Sequence, residues 1–177
     1  MYKGLTIALI GFILDQVHKI YMVDFLKIKV GEFIEVTSFF NLVMVWNKGV
    51  SFGFLGNGVM GKFQPFILVG LTLIIIAVLI SWLKSATTNN AKIGLGLVIA
   101  GALGNAADRL HWGAVADFFD FYINNWHWPA FNIADSFICI GVLLLIIDSI
   151  ANPKDASKKD LAEKDTAKEN TVTNKNA

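Results

Sequence analysis

Between Gly104 and Ser136 the sequence carries three polar blocks: GNAADR (104–109), VADFFDF (115–121) and FNIADS (131–136). They bring together Asp108, Asp117, Asp120 and Asp135 with Asn105, Asn132 and the chain's single arginine, Arg109. Two carboxylates held close in a low-dielectric site cannot both ionise. One keeps its proton, and the pair then offers an acid and a base at once. Such a pair can deprotonate a water and protonate the leaving amine of a peptide. Asp117 and Asp135 are the pair best placed for this. Asp117 follows an aromatic segment, and Asp135 falls in the first turn of a helix beginning near Asn132, where the helix dipole favours an acid. Spacing alone leaves a plainer reading open, in which one is an interfacial acid and the other an N-cap acid.

Asp15 and Lys19 stand four apart with the acid first, so they share a helix face and pair. The pair either packs and anchors the first helix or supports a site, and Asp108 with Arg109 carries the same ambiguity. Gly96, Ala100 and Gly104 recur every four residues, a face on which another helix packs closely. Asp108 continues that face and is expected to point into a bundle. Asn105, one turn before Arg109, is placed to hydrogen-bond a substrate or orient a carboxylate. His18, His111 and His127 lack metal-ligand spacing and HExxH is absent, so no metal is expected. GVSFG (49–53) fits G-x-S-x-G, but that elbow needs a strand–turn–helix in a parallel sheet, for which this chain has no room, and Ser51 is read as a loop residue. Cys139, the lone cysteine, allows no disulfide within the chain and is read as a buried, inert thiol.

Membrane-spanning elements must position these groups. Of 177 residues, 55% are hydrophobic and 16% charged, with mean hydropathy +0.57; a soluble domain carries about a quarter charged residues. Residues 151–177 alone hold six Lys and five acids, so the first 150 residues are more apolar still. Residues 66–83 are uncharged for 18 positions and span unaided. The uncharged runs at 93–107, 136–147 and 4–14 are shorter and span only if polar residues enter the membrane, which makes those residues functional candidates. No A-x-A-like cleavage site follows Met1–Leu14, so that stretch reads as an uncleaved helix.

The expected fold is an all-α membrane protein with four transmembrane helices and a small β-rich periplasmic element at about residues 24–64. Residues 1–150 would form the membrane-embedded domain, and 151–177 a disordered, charged cytoplasmic tail. Within the β-rich element, Leu26, Ile28 and Val30 alternate with Lys27 and Lys29 as in a half-exposed strand, and residues 32–36 and 39–46 are rich in branched and aromatic types. Residues 110–131, with eight aromatics in 22, read as an interfacial loop. Four spans put both termini on one side with Lys3, Lys84, Lys92 and the Lys-rich tail, and the positive-inside rule makes that side cytoplasmic. No basic patch with interleaved aromatics appears, so nucleic-acid binding is set aside. A proton-coupled carrier would explain intramembrane acids, but these gather at one face. A non-catalytic scaffold would leave Asp117, Asp135 and the asparagines without a role.

Taken in order, LDQVHK (14–19), NKGVSFG (47–53), GNAADR, VADFFDF and FNIADS resemble the motifs of the lipoprotein signal peptidases, the bacterial type II signal peptidases. The resemblance runs over roughly residues 12–140. It implies that Asp117 and Asp135 are catalytic aspartates and that Asn105, Asp108, Arg109 and Asn132 support them or hold substrate. Asn47 and Gly49 would contact the substrate or close over it, and Asp15 and Lys19 would steady the first helix and the site. Departures are small: Lys48 and Ser51 stand at variable positions, and Ala106 and Ala107 are smaller than the family's usual residues. The tail lies outside the resemblance. The implied enzyme is an aspartic endopeptidase of the bacterial cytoplasmic (inner) membrane. It cuts a prolipoprotein before a diacylglyceryl-modified cysteine, at a lipid-facing cleft near the periplasmic face. No cofactor and no obligate protein partner are implied.

Overall fold

The structure, a computed structural model, describes residues 1–49 and 59–153, with backbone only at 59–62. Its helices are α1 (Tyr2–Ile20), α2 (Val59–Ser85), α3 (Asn89–His111) and α4 (Ile133–Ala151). Among the described residues, four helical stretches are long and apolar enough to cross a membrane: Tyr2–Leu26, Phe63–Ser85, Asn89–His111 and Ile133–Ala151, with mean hydropathies of 1.3, 2.9, 1.2 and 2.3. The two least apolar are those that carry Asp15, Lys19, Asn105, Asp108 and Arg109, so polarity inside the bundle is concentrated on α1 and α3. α1 runs on into a π-helical turn, Tyr21–Leu26, which stops where Lys27 takes a left-handed conformation (φ 52°). Thr88 caps α3 by accepting a hydrogen bond from the Ala91 amide at 3.1 Å.

Because it is lined with small residues on two sides, α3 can sit at the centre of the bundle. Its Gly96–Ala100–Gly104 face lies along α1, running parallel to it. A methyl group on Gly96 would stand 2.6 Å from the Gly4 carbonyl oxygen, and one on Gly11 would stand 2.8 Å from the Ala100 Cβ. Its other face meets α4, which is antiparallel: Gly94 lies against Gly141, and Gly101 against the backbone of Ala134. Ala8, Ile76, Leu79, Leu83, Leu95 and Ile99 fill the space between α1, α2 and α3. The outward faces stay apolar, with Leu9, Ile13 and Val17 on α1, Leu71, Ile74 and Val78 on α2, and Leu143, Ile147 and Ile150 on α4 all exposed. Hydrocarbon is the natural solvent for such a surface.

At the end of the bundle where α1 and α3 finish and α4 begins lies an antiparallel sheet of β1 (Phe33–Thr37), β2 (Phe40–Asn47), β3 (Val115–Ile123) and β4 (Trp126–His127), in that order. β2 pairs with β3 from Phe40↔Phe121 to Asn47↔Val115, with one extra residue on β2 between Leu42 and Val45. Met22, Met44, Ala116 and Phe118 form a second core that joins the sheet to the end of α1.

Several expectations change here. The alternation at residues 26–30 does not form a strand: Leu26 ends the π-helical turn and the chain then turns through Lys27 and Gly31 (φ 91°). The aromatic segment 110–131 is not a loop but supplies β3 and β4. Cys139 is exposed rather than buried, because α4 turns much of its apolar surface outward. Ser51, the end of NKGVSFG, and all but the first residues of the tail lie outside the described residues.

Candidate active site

Asp117 and Asp135 reach the site from different kinds of element. Asp117 sits on β3, opposite Val45 of β2, and is 1% exposed. Asp135 is the third residue of α4 and only half-buried. Its position follows from how that helix starts. Asn132 is the N-cap, its Oδ1 accepts from the Asp135 amide at 3.0 Å, and the Asp135 Oδ2 accepts from the Asn132 amide at 3.1 Å. This reciprocal box satisfies two amides that the first turn would otherwise leave unpaired and holds the carboxylate in place.

The Asn132 side chain also faces the other way. Its Nδ2 donates to Asp117 Oδ1 at 2.7 Å and to the Ala116 carbonyl at 3.2 Å. One fully buried asparagine therefore ties the two acids together. Asn105, from α3, donates to Asp135 Oδ1 at 2.8 Å, and its own Oδ1 accepts from Asn132 at 3.3 Å and from Lys19 at 3.4 Å. Asn47 donates to Asp117 Oδ2 at 3.0 Å from the open end of β2. Burial pushes the Asp117 carboxyl up to about 6, and the charge of Asp135 adds to that, while the hydrogen bonds from Asn47 and Asn132 and the charge of Lys19 pull it back. The arrangement sets a buried carboxyl that holds a proton into the near-neutral range beside a half-buried carboxyl.

Beneath the pair lies a fully buried ion cluster. Lys19 Nζ stands 2.9 Å from Asp15 and 2.8 Å from Asp108, all three at 0% side-chain exposure. Each acid also accepts from a backbone amide of a neighbouring element: Asp15 from Ala134 at 3.0 Å, and Asp108 from Ala116 at 3.2 Å. The cluster thus pins α1 and α3 to the first turn of α4 and the start of β3. The geometry serves both readings open for Asp15 and Lys19, since the pair anchors α1 and Lys19 also reaches Asn105 beside the two acids, and Asp108 points into the bundle as its helix face required.

Gly49 lies against Arg109, where a methyl group would stand 3.2 Å from Nη2, and its φ of 86° suits glycine. Its amide donates to Asn47 Oδ1 at 2.8 Å. Arg109 Nη1 donates to the Asn105 carbonyl at 3.0 Å, while its buried Nε has no partner among the described residues. Gln16, which in the sequence is marked only by its place in LDQVHK, bridges the buried acids, donating to Asp15 at 3.1 Å and Asp108 at 3.2 Å. Its adjacency to Asp15 was the only signal. His18 packs edge-on against Phe118 at 5.6 Å, as an interfacial packing residue would.

A family model described as signal peptidase (SPase) II matches residues 7–151. The lipoprotein signal peptidase of Aeromonas hydrophila is 43% identical over 154 residues, covering 86% of this chain and 90% of the relative. That of Cupriavidus necator is 42% identical over 148 residues, covering 82% of each. Two solved bacterial membrane enzymes share the fold. One gives a TM-score of 0.72 at 31% identity, over 86% of this chain and 90% of its own. The other gives 0.71 at 35% identity, over 83% and 92%.

Proposed function

The chain belongs to the signal peptidase II family and is a membrane peptidase, and from that premise we propose that it removes the signal peptide from diacylglyceryl-modified prolipoproteins, cutting before the lipid-modified cysteine with Asp117 and Asp135 as an aspartic dyad. The observation that carries this reading is the double tether of Asn132, which donates to Asp117 and caps the helix turn that holds Asp135. Asp117, raised to about 6 by burial and then by the charge of Asp135, keeps the shared proton. Asp135, open to water and oriented by Asn105, takes the proton from the attacking water. The water oxygen bonds to the scissile carbonyl carbon while Asp117 gives its proton to the carbonyl oxygen, so the tetrahedral adduct is a neutral diol. As the C–N bond breaks, Asp135 passes its proton to the amine of the leaving cysteine and one diol hydroxyl returns a proton to Asp117, which gives a carboxylic acid and a free amine and restores the starting state of both acids.

On this reading residues 1–150 are the peptidase domain, with both termini in the cytoplasm and the site near the opposite face. Lys3, Lys84 and Lys92 at the far end of the bundle support that orientation. Asn105, Asp108, Arg109, Asn132, Asp15 and Lys19 support the dyad, and Asn47 and Gly49 border the substrate. The substrate enters from lipid, and no metal or organic cofactor takes part. The test is a gel-shift assay of a diacylglyceryl-modified prolipoprotein with the wild type, Asp117→Asn and Asp135→Asn. Cleavage by the wild type alone, with both variants folded, establishes the dyad. Normal cleavage by either variant removes it.

A further inference from the structure

On the sheet face opposite Asp117 there is a cavity of about 460 Å³. It is lined by all four strands and the turn at Gly31. Residues alternate across a strand, so Asp120, three places beyond Asp117 on β3, looks onto this face instead. Asn41 sits opposite it on β2 and donates to Asp120 Oδ2 at 3.2 Å. His127 Nδ1 stands 2.9 Å from the same carboxylate. That leaves the Asn41 Oδ1, on a side chain only 5% exposed, with no hydrogen-bond partner among the described residues. A buried carbonyl oxygen without a donor is costly unless a ligand supplies one.

The character of that ligand follows from the lining. Phe33, Val43 and Tyr122 give apolar walls. At the rim, Glu35 makes no ion pair among the described residues, and Glu32 has only an exposed one with Lys29 at 3.6 Å. An apolar shaft with acceptors at its base and acids at its mouth fits an aliphatic chain tipped with a cation. A zwitterionic lipid headgroup would bring a phosphate as well, and among the described residues the lining has no Lys or Arg to receive it. We propose that this cavity binds a lysine or arginine side chain of the substrate polypeptide on the product side of the cleaved bond. The inference rests on the peptidase reading above, because the signal peptide stays in the bilayer and the chain past the cut emerges at the sheet. Three strand residues span about 10 Å and a sheet is about as thick again, so the basic residue falls about three to eight positions after the cut.

The test uses the full chain with diacylglyceryl-modified substrates in which one Lys is moved through those positions, against a Gln control. The wild type should show about a tenfold lower KM at the best position, the size of one charge-assisted hydrogen bond to a buried acceptor. In Asp120→Asn the ratio of kcat/KM between Lys and Gln substrates should fall to within about twofold of one. Glu35→Gln, at an exposed edge-strand position, should reduce the same ratio by a smaller factor. Because the readout is a ratio, a general loss of folded enzyme leaves it unmoved. Cleavage of the Gln control with no Lys position favoured, or a preference that survives both variants, overturns the cavity assignment and leaves the peptidase standing. Failure of the wild type on every substrate overturns the peptidase reading and the inference with it.

Discussion

Replacing Asn132 separates two jobs that one side chain performs. Its Oδ1 caps α4 at 3.0 Å from the Asp135 amide, and its Nδ2 donates to Asp117 at 2.7 Å. Serine keeps a capping oxygen, but its arm is too short to reach Asp117. Alanine loses both contacts. A lost N-cap costs about 1 kcal/mol, so Asn132→Ala should be less stable than Asn132→Ser by that amount, roughly 2–4 °C in Tm for a chain of this size. Both variants lose a hydrogen bond to a carboxylate, worth about 1.5–3 kcal/mol. If that bond holds the reacting geometry, kcat/KM should fall about 10- to 150-fold in both. Thermal unfolding followed by tryptophan fluorescence gives the first quantity, and cleavage of a modified prolipoprotein in detergent gives the second. Wild-type activity in Asn132→Ser would refute the tether and leave Asn132 a cap. Equal Tm values for Ser and Ala would refute the cap.

Asn47→Ala removes a hydrogen bond that favours ionised Asp117, so its carboxyl should rise further above about 6. The protonated form is lost as pH rises through that value, so the alkaline limb of kcat/KM should move to higher pH, and a limb that stays put contradicts the assignment. Lys19→Met leaves Asp15 and Asp108 buried without their counter-charge and should cost about 3–5 kcal/mol, read as a drop in Tm; adding Asp15→Asn and Asp108→Asn should recover part of it, and no recovery would argue against the ion cluster as the cause. In Gly101→Val the side chain meets the Ala134 backbone, so α3 and α4 must part at a cost of about 1–3 kcal/mol, with activity falling alongside Tm because Asn105 reaches Asp135 across that contact. Gly70→Ala, which meets nothing within 4 Å among the described residues, is the control and should not lower Tm.

The helices were legible because hydropathy and small-residue spacing are local signals. The Gly96–Ala100–Gly104 face predicted the close approach of another helix, which the structure shows to be α1, and the inward direction of Asp108. The sheet was legible only in part. Residues 33–37 and 40–47 show branched and aromatic enrichment, but β3 is buried along most of its length, so its sequence lacks the polar–apolar alternation that marks a half-exposed strand. Its partner β2 lies some 70 residues earlier, a pairing that no window along the chain displays. The alternation at 26–30 misled for the opposite reason. It reflects a solvated turn where lysines happen to interleave with apolar residues.

The same distinction divides the two acids. Asp135 belongs to a motif whose spacing is a requirement of helix initiation: Asn at the N-cap and an acid three residues on satisfy each other's amides. That grammar fixes a carboxylate at the helix mouth whatever it is used for, which is why spacing alone could not tell a cap from a catalyst. Asp117 has no local grammar. Its place depends on β3 pairing with β2, on Asn47 arriving from β2, and on Asn132 arriving from α4. What links the helix cap to Asp117 is therefore the second hand of Asn132, an amide whose carbonyl oxygen serves the helix and whose nitrogen serves the strand. Aspartate caps as well as asparagine does but has no donor to give, and a buried acid there would face Asp117 with a like charge. An amide at position 132, rather than any other good capping residue, is the part of the motif that helix formation leaves unexplained and a carboxylate partner explains.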